Sequence, residues 1–549
     1  MHISGDNFDN ISRHFQWNMP DKFNMGVVCC DTHAEVTPHK TALIEWNSNS
    51  EPTNYSFQYL KTASNKLANA LSELGFGQGD RLGIILPQSI ETALCHIAVY
   101  KSAGIAVPIA RLFAADALEY RLQRAGVSII VTNRDGAAKL SEIKDPLPDL
   151  KHIICIDDDV PENTISFRDI CAKASSDFTP VDTTPDTPAL IIFTSGTTGQ
   201  PKGALHGHRV LIGHLPGVQI HHEFMPQKND RAWTPADWAW AGGLLNILMP
   251  SLYFGVPVVF GGLDRFDPEK AFQLMSEMKV ANAFIPPTAL RLMKTVEAPA
   301  IRFDLSIRTI GSGGESLGED TFSWVERELD IQINEFYGQT ECNLVLSSCA
   351  KLGVLRLGTI GKPVPGHTVA IVDENGVNCP AGTQGQVAIM RPDPVMFLGY
   401  WQDEEATEKK YINDWMITGD QAVMDEDGYF HFVGRDDDII NYAGYRVGPG
   451  EIEDCLISHP AIQLAVAVGK PDPLRSEIIK AFVVLQDDIA KSEALADEIK
   501  AHVKSRMAAN IYPREVEFVE EIPMTTTGKV IRRLFREQAR KEAEASSTS

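Results

Sequence analysis

Cysteine is sparse in this chain of 549 residues, and its nine copies (29, 30, 95, 155, 171, 342, 349, 379 and 455) never fall at CxxC spacing. The odd number and the scatter argue against a disulfide framework and against a zinc site, and the thiols read as small buried hydrophobes. Positive charge is short as well, with 50 Lys+Arg against 73 Asp+Glu and a net charge of −23. General attraction to nucleic acid or to an anionic membrane is not expected, so any phosphate binding must be local. No uninterrupted apolar run is long enough to span a bilayer and no charged-then-apolar leader opens the chain, so a cytoplasmic location is expected. Two nucleotide signatures are also missing. Walker A spacing occurs nowhere, and Gly313-Gly314-Glu315-Ser316 lacks the third glycine of GxGxxG. What the chain does have is apolar mass: 44% hydrophobic and 22% charged residues over this length predict large cores shared among two or more domains.

The order of elements predicts an α/β fold. Ser56 is placed to cap a helix carrying Leu60, Leu67, Leu71 and Leu74 until Gly75 and Gly77 end it. A strand from Arg81 to Leu86, a helix from Ser89 to Ala103 and a strand from Ile105 follow, and the β-α-β order recurs at Ile129-Ile130-Val131. This predicts stacked, mostly parallel sheets. From about Gly366 the pattern changes to hairpins, with Val369 to Val372, the turn Glu374-Asn375-Gly376 and a return from Gln386 to Met390. A β-rich subdomain is therefore expected to close a large domain of residues 1–434. The charge run at Arg435-Asp436-Asp437-Asp438 marks a hinge, placed at Asp437, before a small mobile α+β domain over 435–541. The charged residues from Gln538 onward, with 542–549 as the tail proper, are expected to fray.

The chemistry concentrates in a few segments. Thr194-Ser195-Gly196-Thr197-Thr198-Gly199-Gln200-Pro201-Lys202-Gly203 combines hydroxyls, glycines that allow close backbone approach and one positive charge, directly after the apolar strand Ala189 to Phe193. Such a loop suits a polyphosphate. Gly313, Gly314, Glu315 and Ser316 follow another apolar stretch and offer backbone groups to a flat base. Tyr337-Gly338-Gln339-Thr340-Glu341 supplies an aromatic face, a hydroxyl and a carboxylate, parts suited to a base, a phosphate and a magnesium ion. In Thr418-Gly419-Asp420 the acid suits a ribose diol, and Arg435 is a planar donor for the same sugar or a phosphate.

Read in order, TSGTTGQPKG, GGES, YGQTE, TGD, GRDDD, NYAGYRVGPGEIE and TTTGK resemble the AMP-forming acyl-CoA synthetases of the adenylate-forming superfamily, from about residue 30 to 540. The resemblance implies Mg²⁺, ATP and CoA as cofactors and two half-reactions. A carboxylate attacks the α-phosphorus to give acyl-AMP and pyrophosphate, then the thiol of CoA displaces AMP after the small domain swings about its hinge. It further implies that Lys529 is the catalytic lysine bridging carboxylate and α-phosphate, which is sensible where two anions must meet. By the same resemblance Glu341 holds Mg²⁺, Thr340 meets the α-phosphate, and Thr194 to Lys202 meet the outer phosphates. Asp420 and Arg435 take the ribose, and adenine lies between Gly313 to Glu315 and Tyr337. Gly444, Tyr445 and Arg446 resemble the loop lining the pantetheine tunnel.

For the acyl pocket, relatives restricted to acetate carry tryptophan just before Gln-Thr-Glu, whereas this chain has Gly338, so an open floor is expected. By family position Trp233 to Leu252 line the acyl site, with Trp238, Gly242 and Gly243 among them. Cys342-Asn343 depart from the Thr-Gly that commonly follows the glutamate, which leaves the far end of the pocket unassigned. Short- to medium-chain or small branched acids are expected. An aromatic-acid ligase and an adenylation enzyme loading a phosphopantetheinyl carrier stay open as alternatives, as does assembly into a homo-oligomer.

Overall fold

Helix Arg209–His221 is buried on every side after its first residue, which is what a central rather than a surface helix requires. In the computed structural model of the protein it touches strands of both large sheets. The structure describes residues 3–547 except 144–146, 195–199, 264, 316, 437, 443–444, 473–475, 488, 508–511 and 525–529. One core fills the space between the sheets. It takes Leu43, Val258, Phe284 and Phe336 from one, Leu82, Ile129, Leu190 and Ile192 from the other, and Leu211, Leu215 and Val218 from the central helix.

The first sheet has nine strands and runs Lys362–Pro363, Leu346–Ser347, Ile333–Tyr337, Thr309–Gly313, Asn282–Phe284, Ala232–Trp233, Val258–Phe260, Thr41–Asn47 and Ser50–Ser56. Its centre is parallel and both edges are antiparallel. The second, of eight strands, is parallel through Pro188–Thr194, Ile105–Pro108, Arg81–Ile85, Ile129–Thr132, His152–Cys155 and Ile165–Ser166. Its other edge folds back antiparallel as Lys202–Gly207 and Gly399–Tyr400. The expected stacked α/β layers are therefore present. Local signals hold as well: Ser56 accepts from the Tyr59 amide to cap Phe57–Glu73, and Ser89 caps Ile90–Lys101 through Thr92.

A third, antiparallel sheet comprises Val369–Val372, Gln384–Met390, Trp415–Met424, Tyr411–Ile412 and Phe430–Arg435, the β-rich subdomain read from the hairpin pattern. The fourth is built from Ile440–Tyr442, Tyr445–Val447, Ile462–Asp472, Ser476–Leu485 and Glu515–Phe518, flanked by helices Pro449–Ile457, Glu493–Arg506 and Arg532–Ser547. The frayed terminus read from the sequence is corrected here, because helix Arg532–Ser547 runs through it. Phe535 and Ala539 are buried on that helix, and Glu542 bonds Lys480 at 2.6 Å and Lys470 at 3.2 Å. Two apolar side chains spaced four residues apart give the helix a face to bury, and composition alone hid it. All nine cysteines are free and six are buried, as expected of small hydrophobes. Among the described residues no helix is long and apolar enough to cross a membrane.

Candidate active site

Strands Thr309–Gly313 and Ile333–Tyr337 are parallel neighbours, with Gly313 opposite Phe336. Segments 313–315 and 337–341 therefore leave the sheet side by side at strand C-termini, where open α/β sheets bind ligands. Gly313 has no room for a side chain, since a Cβ would lie 2.5 Å from the Phe336 carbonyl oxygen. Gly314 turns the chain at φ +97°. The Glu315 carboxylate faces back into the protein, accepting from the Thr288 hydroxyl at 2.8 and 3.0 Å and from Arg291 at 3.4 Å. It braces the loop and leaves the backbone as the group on offer to a base.

Asp420, expected to take a ribose, is the node of a second cluster. Its Oδ2 accepts from the Tyr337 hydroxyl and from Gln339 Nε2, each at 2.6 Å, and Gln339 also donates to the Thr418 carbonyl at 2.9 Å. Arg435 stands opposite Asp420 in the antiparallel pair, its guanidinium 3.9 Å from Oδ1. Residues 337–339 and Arg435 thus converge on one carboxylate that is 4% exposed. Burial first, and the Asp420 charge second, push the Tyr337 phenol well above its ordinary value, so it stays a donor.

The segment expected to take phosphate joins two antiparallel strands, Pro188–Thr194 and Lys202–Gly207. Thr194 ends one strand in register with Lys202, which begins the return. Ser195, Gly196, Thr197, Thr198 and Gly199 lie outside the described residues, as do Ser316, Asp437, Gly444 and Lys529. The return strand pairs with Gly399–Tyr400, and this brings in a residue that the sequence analysis missed. The Tyr400 hydroxyl donates to Glu341 Oε1 at 2.5 Å, while Lys202 Nζ stands 5.2 Å from the centre of the same ring. Tyr400 thereby ties the strand that begins at Lys202 to the Glu341 carboxylate. Burial, followed by the Glu341 charge, drives its phenol far above the tyrosine range and keeps the donor proton in place. The Glu341 backbone is pinned too, its carbonyl accepting from the Phe397 amide at 2.9 Å. Thr340 precedes it in the chain.

In the segment expected to line the acyl site, Trp238 is 1% exposed and among the described residues its indole nitrogen has no partner. A Cβ on Gly242 would meet the Phe284 ring at 2.8 Å, and one on Gly243 the Asp237 carbonyl oxygen at 2.5 Å. Both glycines therefore serve close packing. Gly338 does not border empty space: a Cβ there would lie 2.7 Å from Asn343 Cα and 2.8 Å from Asn343 Oδ1. The room that Gly338 leaves is taken by Asn343. Tyr445 and Arg446 form the short strand Tyr445–Val447, paired with Ile440–Tyr442. Met524 and Val530 pair as a bridge on either side of the segment carrying Lys529.

Comparison with known proteins finds relatives that match most of the chain. The AMP-binding enzyme family matches residues 30–401, and the AMP-binding enzyme C-terminal domain matches residues 451–529. An uncharacterized acyl–CoA ligase of Bacillus subtilis is 34% identical over 90% of this chain and 92% of its own. The acetyl-coenzyme A synthetase of the same organism is 33% identical over 97% and 96%. Among solved structures, the anthranilate CoA ligase AuaEII in complex with anthranoyl-AMP superimposes with a TM-score of 0.87 at 29% identity, over 96% of this chain and 99% of that one. The chain belongs to the AMP-binding enzyme family, as an AMP-forming acyl-CoA synthetase of the adenylate-forming superfamily.

Proposed function

We propose that the protein activates a short- to medium-chain carboxylic acid in two displacements. In the first, a carboxylate oxygen bonds to the α-phosphorus of ATP and the bond to the β-phosphate breaks, so pyrophosphate leaves and acyl-AMP remains. In the second, the sulfur of CoA bonds to the acyl carbon, the bond to AMP breaks, and the thiol proton passes to solvent. Asp420 and Arg435 hold the ribose, Gly313 to Ser316 and Tyr337 enclose the base, and Thr194 to Lys202 wrap the outer phosphates. Thr340 meets the α-phosphate. Lys529 supplies the cation that lets two anions approach, and Gly444, Tyr445 and Arg446 line the thiol's path once the small domain has turned about Asp437.

The donor set fits Mg²⁺. One oxygen of Glu341 is held by Tyr400, which leaves the other for a hard cation, and the triphosphate supplies further oxygens. Bound there, the ion neutralises phosphate charge. Tyr400, by joining Lys202 to Glu341, carries most of the support for this reading, because it makes the hairpin and the carboxylate one preorganised unit. The test is exchange of labelled pyrophosphate into ATP across a panel of carboxylic acids, with thioester formation on adding CoA as the second readout. A protein that exchanges with none of them, in the presence of Mg²⁺, would sink the proposal.

A further inference from the structure

Helix Ala115–Ala125 lies outside every motif assigned so far, yet it packs against the segment expected to take phosphate. Leu118, Leu122 and Ala125 recur at helical spacing and share one core with Ile191 and Phe193 of the strand that ends at Thr194. Leu205 of the return strand and Trp401 pack against the same core. Arg121, 8% exposed, seats the helix further. Its guanidinium lies 3.9 Å from the centre of the Phe113 ring and 6.0 Å from that of Phe193, the last apolar residue before Thr194. Tyr120 and Arg124 stand four residues apart, which puts them on a common face. The Tyr120 hydroxyl donates to the Pro201 carbonyl at 3.1 Å, and Arg124 Nη2 donates to the Gln402 carbonyl at 2.9 Å.

These two bonds close a frame. The Trp401 amide donates to the Gly203 carbonyl at 2.7 Å, so the helix, the return strand and residues 400–402 are each joined to the other two. Tyr400, within that frame, bonds Glu341. Pro201 stands outside the antiparallel ladder, whose last pair is Thr194 with Lys202, and Tyr120 supplies the hydrogen bond to its carbonyl. A peptide unit is planar, so fixing the Pro201 carbonyl fixes the plane from which Lys202 departs. We propose that Tyr120 is a positioning residue for the outer phosphates of a nucleoside triphosphate: through Pro201 it sets the segment Thr194 to Lys202 in place beside Tyr400 and Glu341. The inference rests on the reading of Thr194 to Lys202 as the outer-phosphate segment. Tyr120 touches no reacting atom. It orders the backbone that receives a triphosphate, and an adenylate without outer phosphates does not draw on that order.

The experiment measures nucleotide binding by calorimetry, with Mg·ATP and with AMP as probes, on the wild-type chain and on Tyr120→Phe, which loses the hydroxyl alone. The Kd for Mg·ATP is expected to rise by about 3- to 10-fold, the range of one neutral hydrogen bond, while the Kd for AMP stays within about twofold. In turnover the same split should recur. KM for ATP and for pyrophosphate rises in Tyr120→Phe, and thioester formation from supplied acyl-AMP and CoA keeps its wild-type rate. A purely structural hydroxyl would weaken both nucleotides alike or neither. Equal weakening of ATP and AMP, or an unchanged affinity for ATP, therefore overturns the assignment and leaves the ligase reading intact. A wild type that binds ATP but exchanges pyrophosphate with no acid removes the ligase reading, while the binding comparison still decides the role of Tyr120. A wild type that binds neither nucleotide removes both.

Discussion

Replacing Tyr400 by Phe tests the junction between the phosphate hairpin and Glu341. The change removes a 2.5 Å hydrogen bond from a phenol to a carboxylate and keeps the ring that Lys202 approaches at 5.2 Å. A buried, charge-assisted hydrogen bond is worth roughly 1.5–3 kcal/mol, which corresponds to about 10- to 150-fold if the bond acts wholly through the orientation of Glu341. Pyrophosphate exchange measured against Mg²⁺ concentration should show kcat/KM for ATP down by about 10- to 100-fold, with the Mg²⁺ dependence displaced to higher concentration. Because the phenol is held far above its ordinary value, it carries its proton throughout the assay range, and the wild-type profile should show no tyrosine titration between about pH 6 and 9. Tyr400→Ala, which also loses the ring, should be worse. A Tyr400→Phe protein with wild-type Mg²⁺ dependence, beside a Glu341→Gln protein that is inactive, would show that the bond does not position the carboxylate.

Asp420→Asn keeps the size of the side chain but removes the charge that Tyr337 and Gln339 address, so KM for ATP should rise about 10- to 100-fold while KM for the acid changes little; equal changes in both would contradict a sugar-binding role. Lys529→Ala should lower adenylation by about 100-fold or more yet spare thioester formation from supplied acyl-AMP, and Gly444→Leu should do the reverse. Equal loss of both steps in either variant would reject the division of labour. Six buried histidines make stability acid-sensitive: burial holds His96, His206, His208, His214 and His221 down to about 3 and His222 well below its ordinary value. Between about pH 6.5 and 3 the unfolded chain binds the additional protons, so stability falls as pH drops through that window, by ~1.4 kcal/mol per pH unit for each titrating histidine. Urea midpoints should decline on acidification below about pH 6.5, and His96→Phe should flatten the slope by about one proton; a pH-independent midpoint would refute this.

Much of the architecture is legible along the chain because its causes are local. Ser56 and Ser89 cap the helices their positions announce, and the strands at 81, 105, 129 and 188 are apolar runs that parallel sheets bury on both faces. The motifs are legible for a related reason: a loop that receives phosphate or turns at positive φ, such as Gly314, must draw on few residue types over a short stretch. The terminal helix was hidden because its charged composition outweighs the two apolar residues that anchor it, and Lys470 and Lys480, distant in sequence, help give Glu542 a fixed place.

By itself, then, the amino-acid order determined the layered α/β class and the family, since each depends on short-range patterning and on side-chain chemistry. Tertiary structure alone decided that Asp420 collects Tyr337, Gln339 and Arg435, that Tyr400 spans Lys202 and Glu341, and that Asn343 fills the space beside Gly338. Those contacts join residues up to about two hundred positions apart, and a solitary tyrosine or asparagine acquires a role only from what the folded chain sets within hydrogen-bonding distance of it.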